Sequence, residues 1–288
     1  MIITSTSNDQ IKKIVKLREK SKERKAEGLF VVEGIRIFKE IPAMDIDSVY
    51  VSESFVETYI NVDKESATDN RYDNIPDLFS RVDYTVVADN VFKKLSDTVN
   101  PQGVLAVVRM ADYTLDEVLN SRDKENSCIV VLDKIQDPGN LGTIIRTGEG
   151  AGITGVVMSK DTVDLYNPKV IRSTMGSIFR VPCVIVDDLS SAVETMKDSG
   201  VTTYAAHLDG EDISSVDLAN DRAFLIGNEA NGLSDEVANL ADKKIKIPMS
   251  QLVHILKGII MKQMEVIQNT IFSEALNRKI AYNIQKSE

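Results

Sequence analysis

Cysteine and histidine are scarce: the 288-residue chain holds two of each. Cys128 and Cys183 fall in apolar segments that read as core strands. Two buried thiols exclude a disulfide scaffold and point to a reducing, cytoplasmic setting. With only His207 and His254, and no Cys-x-x-Cys, neither a structural zinc site nor any other metal is expected. Long hydrophobic runs are missing too. None approaches the roughly 20 residues of a membrane span. The start, Met1-Ile2-Ile3-Thr4-Ser5-Thr6-Ser7, lacks the charged lead and apolar core of a secretory signal. The loop that follows the strand at 129–132, Asp137-Pro138-Gly139-Asn140-Leu141-Gly142, is not Gly-x-Gly-x-x-Gly, and no Gly-Lys-Ser/Thr occurs, which argues against a dinucleotide-dependent dehydrogenase and a P-loop enzyme. No internal repeat or low-complexity tract occurs.

Excess positive charge is also absent. The net charge is −10, which argues against a whole-surface nucleic-acid binder. The average hides one asymmetry. Between positions 11 and 26 stand Lys12, Lys13, Lys16, Arg18, Lys20, Lys22, Arg24 and Lys25 against only Glu19 and Glu23. Asn8 can cap a helix there, with Ile11, Ile14, Val15 and Leu17 on one face and the lysines on the other. This segment is the evident electrostatic footprint for a polyanion; a solvated helix face is the plain alternative.

The length suggests two domains. Residues 1–110 read as a small α/β domain, with strands near 28–34, 46–51, 84–87 and 103–108 and short helices near 35–41, 55–61 and 90–96. Residues 64–74 are polar and read as a loop. Residues 111–127 read as an acidic linker with one short helix. From 128 to 288 strand and helix alternate, the pattern of a parallel sheet. Strands are expected at 129–132, 155–158, 181–186, 202–206, 223–226 and 244–247. Helices are expected at 141–151, 168–175, 189–199, 234–240 and from about 252 to 278.

Four stretches at strand ends of this second half can carry chemistry. Asp137-Pro138-Gly139-Asn140 is strong turn punctuation after a buried strand, with Asn140 a candidate helix cap and Arg146 near the helix start. Asn167-Pro168 opens a helix carrying Arg172 and closes on Gly176. Gly227-Asn228-Glu229 directly follows an apolar strand, and Ser234 can cap the next helix. Ile245-Lys246-Ile247-Pro248-Met249 is a strand closed by proline. In α/β sheets, ligands bind at such ends.

Taken together, Asn140-x5-Arg146, Gly227-Asn228-Glu229-x2-Gly232-Leu233 and Ile247-Pro248-Met249 resemble, in order, the three motifs of the SpoU, or TrmH-like, family of RNA ribose 2′-O-methyltransferases in the SPOUT superfamily. Asp164 to Lys169 and Arg172 to Gly176 resemble the segment between the first two motifs. Asn8, Lys12, Leu17, Lys20, Arg24, Phe30, Glu33 and Gly34 resemble the family's substrate-binding domain, a fold like that of certain ribosomal proteins. The resemblance implies a parallel-sheet SPOUT domain with a trefoil knot near the C-terminus, a homodimer, S-adenosylmethionine as cofactor and structured ribosomal or transfer RNA as substrate. It implies catalytic or site-shaping roles for Arg146, Asn140 and Glu229. The cofactor pocket would draw on Ala206, Leu208, Ile226, Gly227, Ile247, Met249 and Leu256. RNA would meet Lys12, Lys13, Lys16, Arg18, Lys20, Arg24 and Arg172.

One segment departs from the family. After Met249 the family's short loop leads to Glu-Ser-Leu-Asn; here His254, Ile255 and Lys257 replace the Glu, Ser and Asn, and only Leu256 fits. Bulky Ile259, Ile260, Met261, Met264 and Ile267 follow where the family has small residues. A diverged substrate site, a non-catalytic RNA-binding or assembly factor on the same fold, and a reading-frame change near codon 250 each account for this.

Overall fold

Apolar strands build two sheets, and each sheet carries its own core. The computed structural model describes residues 2–61, 74–120 and 126–247. It divides the chain into two units. One comprises residues 1–111 and 166–179; the other comprises residues 112–165 and 180–288.

The first unit opens with β1 (Ile2–Ile3), α1 (Asp9–Glu19) and α2 (Ser21–Glu27). Then come β2 (Leu29–Glu33), α3 (Ile35–Phe38), β3 (Ile46–Ser52) and α4 (Glu53–Phe55), which runs on as a π-turn. α5 (Ile75–Phe79), β4 (Thr85–Val87), α6 (Asp89–Leu95) and β5 (Val104–Arg109) complete it. Among the described residues the strand order is β1-β4-β3-β5-β2. β1, β4 and β3 are parallel, and β5 runs antiparallel to β3 and β2. Ile11, Ile14 and Leu17 of α1 and Val91, Phe92 and Leu95 of α6 share one core with Leu29, Val31, Leu105 and Val107 of the sheet. β1, α2 and α5 were not foreseen, since two to seven residues give too little periodicity to read.

The second unit contains α7 (Leu115–Leu119), β6 (Cys128–Leu132), α8 (Pro138–Ala151) and β7 (Gly155–Ser159). The chain then supplies α9 (Pro168–Thr174) before returning to β8 (Cys183–Val186), α10 (Leu189–Asp198), β9 (Thr202–Asp212), β10 (Arg222–Ile226), α11 (Asp235–Leu240) and β11 (Lys243–Lys246). The order is β11-β9-β10-β6-β7-β8, parallel at every pairing among the described residues. Continuous apolar runs such as Cys128 to Leu132 are buried throughout, as a sheet covered on both faces requires. Ile129, Val131, Val157, Ala223 and Leu225 form one core with α10 residues Leu189, Val193 and Met196.

Two boundaries differ from the expectation. Residues 112–119 contain the short helix expected in the linker, and it packs into the second unit: Val118 is fully buried in the second core, and a Thr114–Glu117 capping box starts α7. Residues 166–179 group with the first unit. Tyr166 and Phe179 place their rings 4.6 and 6.4 Å from that of Phe30, and the Tyr166 hydroxyl donates to the Ala111 carbonyl. The expected loop at 64–74 lies mostly outside the described residues. The helix from about 252, Met249, His254, Leu256 and the region of the expected knot lie wholly outside them.

Candidate functional site

The connection after β6 leads through α8 to β7 on one side of the sheet order. The connection after β10 leads through α11 to β11 on the other. The adjacent ends of β6 and β10 are therefore a topological switch point, where diverging loops leave a crevice. Two of the sequence clusters stand there.

The β6–α8 loop is fixed residue by residue. Asp137, not Asn140, caps α8: its Oδ1 accepts the Asn140 backbone N–H at 2.9 Å, and Pro138 occupies the first helical position. The helix thus begins three residues before the expected start, because Pro138 and Gly139 fit a first turn as well as a loop. That shift releases the Asn140 side chain, whose Nδ2 donates to Glu229 Oε1 at 3.1 Å.

Glu229 binds the two loops together. Its carboxylate accepts the backbone N–H groups of Gln136 at 3.1 Å and Asp137 at 3.0 Å in addition to Asn140. Partial burial pushes the pKa of this carboxyl up, but the bonds from Asp137, Gln136 and Asn140 outweigh that and hold it below the ordinary glutamate value. A carboxylate so engaged holds the start of α8 and the loop after β10 in place.

Three further residues complete the clamp: Asn228, which the second motif contains, and Asp133 and Gln136, which were not foreseen. Buried Asp133 accepts the Ser234 N–H at 3.0 Å and its hydroxyl at 2.7 Å. The Asn228 amide donates to the Lys134 carbonyl at 2.8 Å. Gln136 Nε2 donates to the carbonyl of Asp161 at 2.7 Å. A carboxylate directly after a buried strand requires partners, which was the available signal for Asp133.

Gly227 is required by close approach. A Cβ there would stand 2.0 Å from the Gly232 carbonyl carbon and the Leu233 nitrogen. Asn228 and Gly232 exchange both backbone hydrogen bonds at 2.9 Å, which draws the loop tight.

Beside this loop, β9 carries a bulge. Ala205 pairs with Lys244, but Ile245 pairs with Glu211, so residues 206–210 are extruded from the ladder. Ala206 is half-buried and Leu208 is 79 % exposed. Ile226 ends β10 and Ile247 follows β11. Ile226, Gly227 and Ile247 thus stand at the carboxyl ends of β10 and β11, and Ala206 and Leu208 lie in the bulge within β9, the strand between those two.

Arg146 lies in the middle of α8, exposed, and makes no hydrogen bond or ion pair among the described residues. Arg172 belongs to the other unit, where it pairs with Asp97 at 2.9 Å. The basic N-terminal segment is not one surface. Lys20 is extended and splits it into α1 and α2. Arg18, expected to meet RNA, donates to the carbonyls of Lys94, Leu95 and Ser96 at 2.9, 3.0 and 2.7 Å and closes the end of α6. Arg24 is 3 % exposed and closes α1 through the carbonyls of Leu17 and Arg18. A guanidinium carries five donors, and helix ends offer unpaired carbonyls, so these two are spent inside the fold. Lys12 pairs with Asp9, and Lys13 with Glu27. Lys16, Lys20, Lys22 and Lys25 remain exposed without an ion pair among the described residues.

Residues 127–256 match the SpoU rRNA Methylase family, and residues 8–106 match the MRM3-like substrate binding domain. The 23S rRNA (guanosine(2553)-2′-O)-methyltransferase RlmP of Bacillus subtilis is 29 % identical over 248 residues, 86 % of this chain and 90 % of that protein. An uncharacterized tRNA/rRNA methyltransferase of Mycoplasma genitalium is 30 % identical over 183 residues, 61 % of this chain and 75 % of that one. The crystal structure of an AdoMet-bound rRNA methyltransferase from Sinorhizobium meliloti shares the fold, with a TM-score of 0.76 and 24 % identity, covering 95 % of this chain and 98 % of that chain.

Proposed function

The chain belongs to the SpoU rRNA methylase family, and on that premise we propose that it transfers a methyl group from S-adenosylmethionine to a ribose 2′-hydroxyl of structured ribosomal or transfer RNA. The observation that carries the reading is the clamp between the loops that leave β6 and β10 at the switch point. There the Asn140–Glu229 bond fixes the start of α8, and the same helix presents an uncommitted Arg146.

The residues present suit the cofactor. The β9 bulge would supply Ala206 and Leu208, the ends of β10 and β11 Ile226 and Ile247, and Gly227 lets its loop fold tightly beside them. When bound, S-adenosylmethionine supplies an electrophilic methyl group. Met249 and Leu256 belong to the same proposed pocket by the sequence resemblance.

A ribose hydroxyl is a poor nucleophile until its proton begins to leave. Arginine stays protonated below a pKa of about 12, so its conservative role is charge stabilisation. Arg146 would clamp the neighbouring phosphate with two parallel N–H bonds and lower the cost of developing negative charge on the hydroxyl oxygen. Asn140 and Glu229 are positioning residues: they set the pitch and register of α8, hence where Arg146 stands.

The first unit would bind RNA through Lys16, Lys20, Lys22 and Lys25, reading backbone and shape. A homodimer working in the cytoplasm completes the proposal. The test is ribose-methylation mapping of total RNA with and without the gene, with one 2′-O-methyl site lost in the deletion and restored by the wild-type gene. No change anywhere sinks the proposal. The departed segment after Met249 favours one second reading, a non-catalytic RNA-binding factor. Calorimetry separates the two, because that factor binds no S-adenosylmethionine.

A further inference from the structure

Lys134 is the first residue of the switch-point loop after Asp133, and its backbone is left-handed, with φ +58°. That region is crowded for a residue with a Cβ and long side chain; glycine or asparagine takes it more readily. The conformation is fixed on every side. The Lys134 N–H donates to Ser159 Oγ at 2.9 Å, and its carbonyl accepts Asn228 Nδ2 at 2.8 Å and Gln136 Nε2 at 3.2 Å. One of the second motif's own side chains, Asn228, is thus spent on holding this turn.

The turn sends the Lys134 side chain to the surface, where its ammonium has no partner among the described residues. Three carboxylates belong to the same clamp, and each accepts hydrogen bonds elsewhere: Asp133 from Ser234, Asp137 from the start of α8, and Glu229 from Gln136, Asp137 and Asn140. A lysine in a sterically unfavourable backbone state, beside acids that do not neutralise it, at the mouth of a ligand crevice, is placed for an anion from outside.

We propose that Lys134 is a substrate-positioning residue that contacts an RNA phosphate beside the reacting nucleotide. The inference rests on the methyl-transfer reading and deepens it: Arg146 serves the phosphate next to the hydroxyl, and Lys134 fixes the strand across the crevice mouth. A phosphodiester fits better than the cofactor's carboxylate, because an exposed ammonium on a loop tip faces bulk solvent and polymer rather than an enclosed pocket.

The test compares wild-type protein with Lys134→Asn, which keeps the left-handed turn, and Lys134→Arg, which keeps the charge. The probe is an in-vitro transcribed stem-loop of large-subunit ribosomal RNA, titrated by fluorescence anisotropy across a salt series. Lys134→Asn is expected to weaken RNA binding about 3- to 10-fold at low salt and to reduce the slope of log affinity against log salt by about one. Its calorimetric affinity for S-adenosylmethionine and its melting temperature stay at wild-type values, and Lys134→Arg binds RNA as wild type does. The proposal is overturned if Lys134→Asn leaves RNA affinity and slope unchanged, if it weakens S-adenosylmethionine instead, or if Lys134→Arg loses as much as Lys134→Asn. Wild-type protein that binds neither RNA nor S-adenosylmethionine overturns the methyl-transfer reading itself.

Discussion

Asn140 Nδ2 donates to Glu229 Oε1 at 3.1 Å, joining residues 89 positions apart in the chain. Through that bond the loop after β10 sets the first turn of the helix after β6. The two motifs are therefore one mechanical part, and their substitutions should act through α8.

Glu229→Gln keeps the shape and removes the charge. The backbone N–H groups of Gln136 and Asp137 then lose a charged acceptor, and bonds to charged groups are worth about 1.5–3 kcal/mol each against about 1 for neutral ones. The variant should melt about 2–4 °C below wild type at pH 7. The folded carboxyl titrates below its ordinary value of 4.5. Its contribution is thus present above that value and is lost as pH falls through the lower, folded-state value. Thermal melts from pH 7 to pH 3 should show the two proteins converging at the acid end. A constant gap across the range would show that the charge is not what holds the loops.

Arg146→Ala should lower methyl transfer about a hundred- to a thousandfold or more, the scale of losing a fixed charge at the reacting centre. Its melting temperature should not move, because the side chain is exposed and unpaired among the described residues. Tritium incorporation from labelled S-adenosylmethionine reads the first, and calorimetry should find cofactor affinity within about twofold of wild type. Near-normal turnover would remove Arg146 from the site.

Arg18 and Lys16 stand two residues apart and should behave oppositely. Arg18→Ala strips the partner from three carbonyls at the end of α6 and should cost about 1–3 kcal/mol in urea unfolding. Lys16→Ala should change stability by under about 0.5 kcal/mol. It should instead weaken RNA binding and lower the salt slope by about one. Equal effects of the two on RNA affinity would return Arg18 to the RNA face.

Val118→Ala should destabilise by about 2 kcal/mol, since a fully buried side chain loses two methyl groups and leaves a void. A neutral outcome in denaturant unfolding would show that α7 adds nothing to the second core.

Much of the fold was legible. The apolar runs ending at Leu132, Met158 and Ile226 announce buried parallel strands by composition, and the α1 pattern at Ile11, Ile14 and Leu17 announces one buried face. Asn140, Gly227 and Glu229 could be picked out because polar residues and glycine directly after such strands are poor choices for a mere connection. Arg18 and Arg24 misled because charge is visible in a sequence and its partner is not. Asp133 and Lys134 were passed over for the same reason: a buried acid and a left-handed lysine become unusual only when their surroundings are known.

Local chemistry in the sequence determines where the strands and helices run, that there are two sheets, and which loops leave the strand ends. Hydrophobic periodicity and turn residues act over a few positions, so the linear order suffices to read them. Only the tertiary structure decides that β10 lies beside β6 rather than beside β8, which brings Glu229 to Asn140 and clamps the two loops together. It also decides which cations are consumed by carbonyls and which stay available to an anion. Hydrogen bonds and ion pairs between distant residues depend on the geometry of packing, and no spacing along the chain records it.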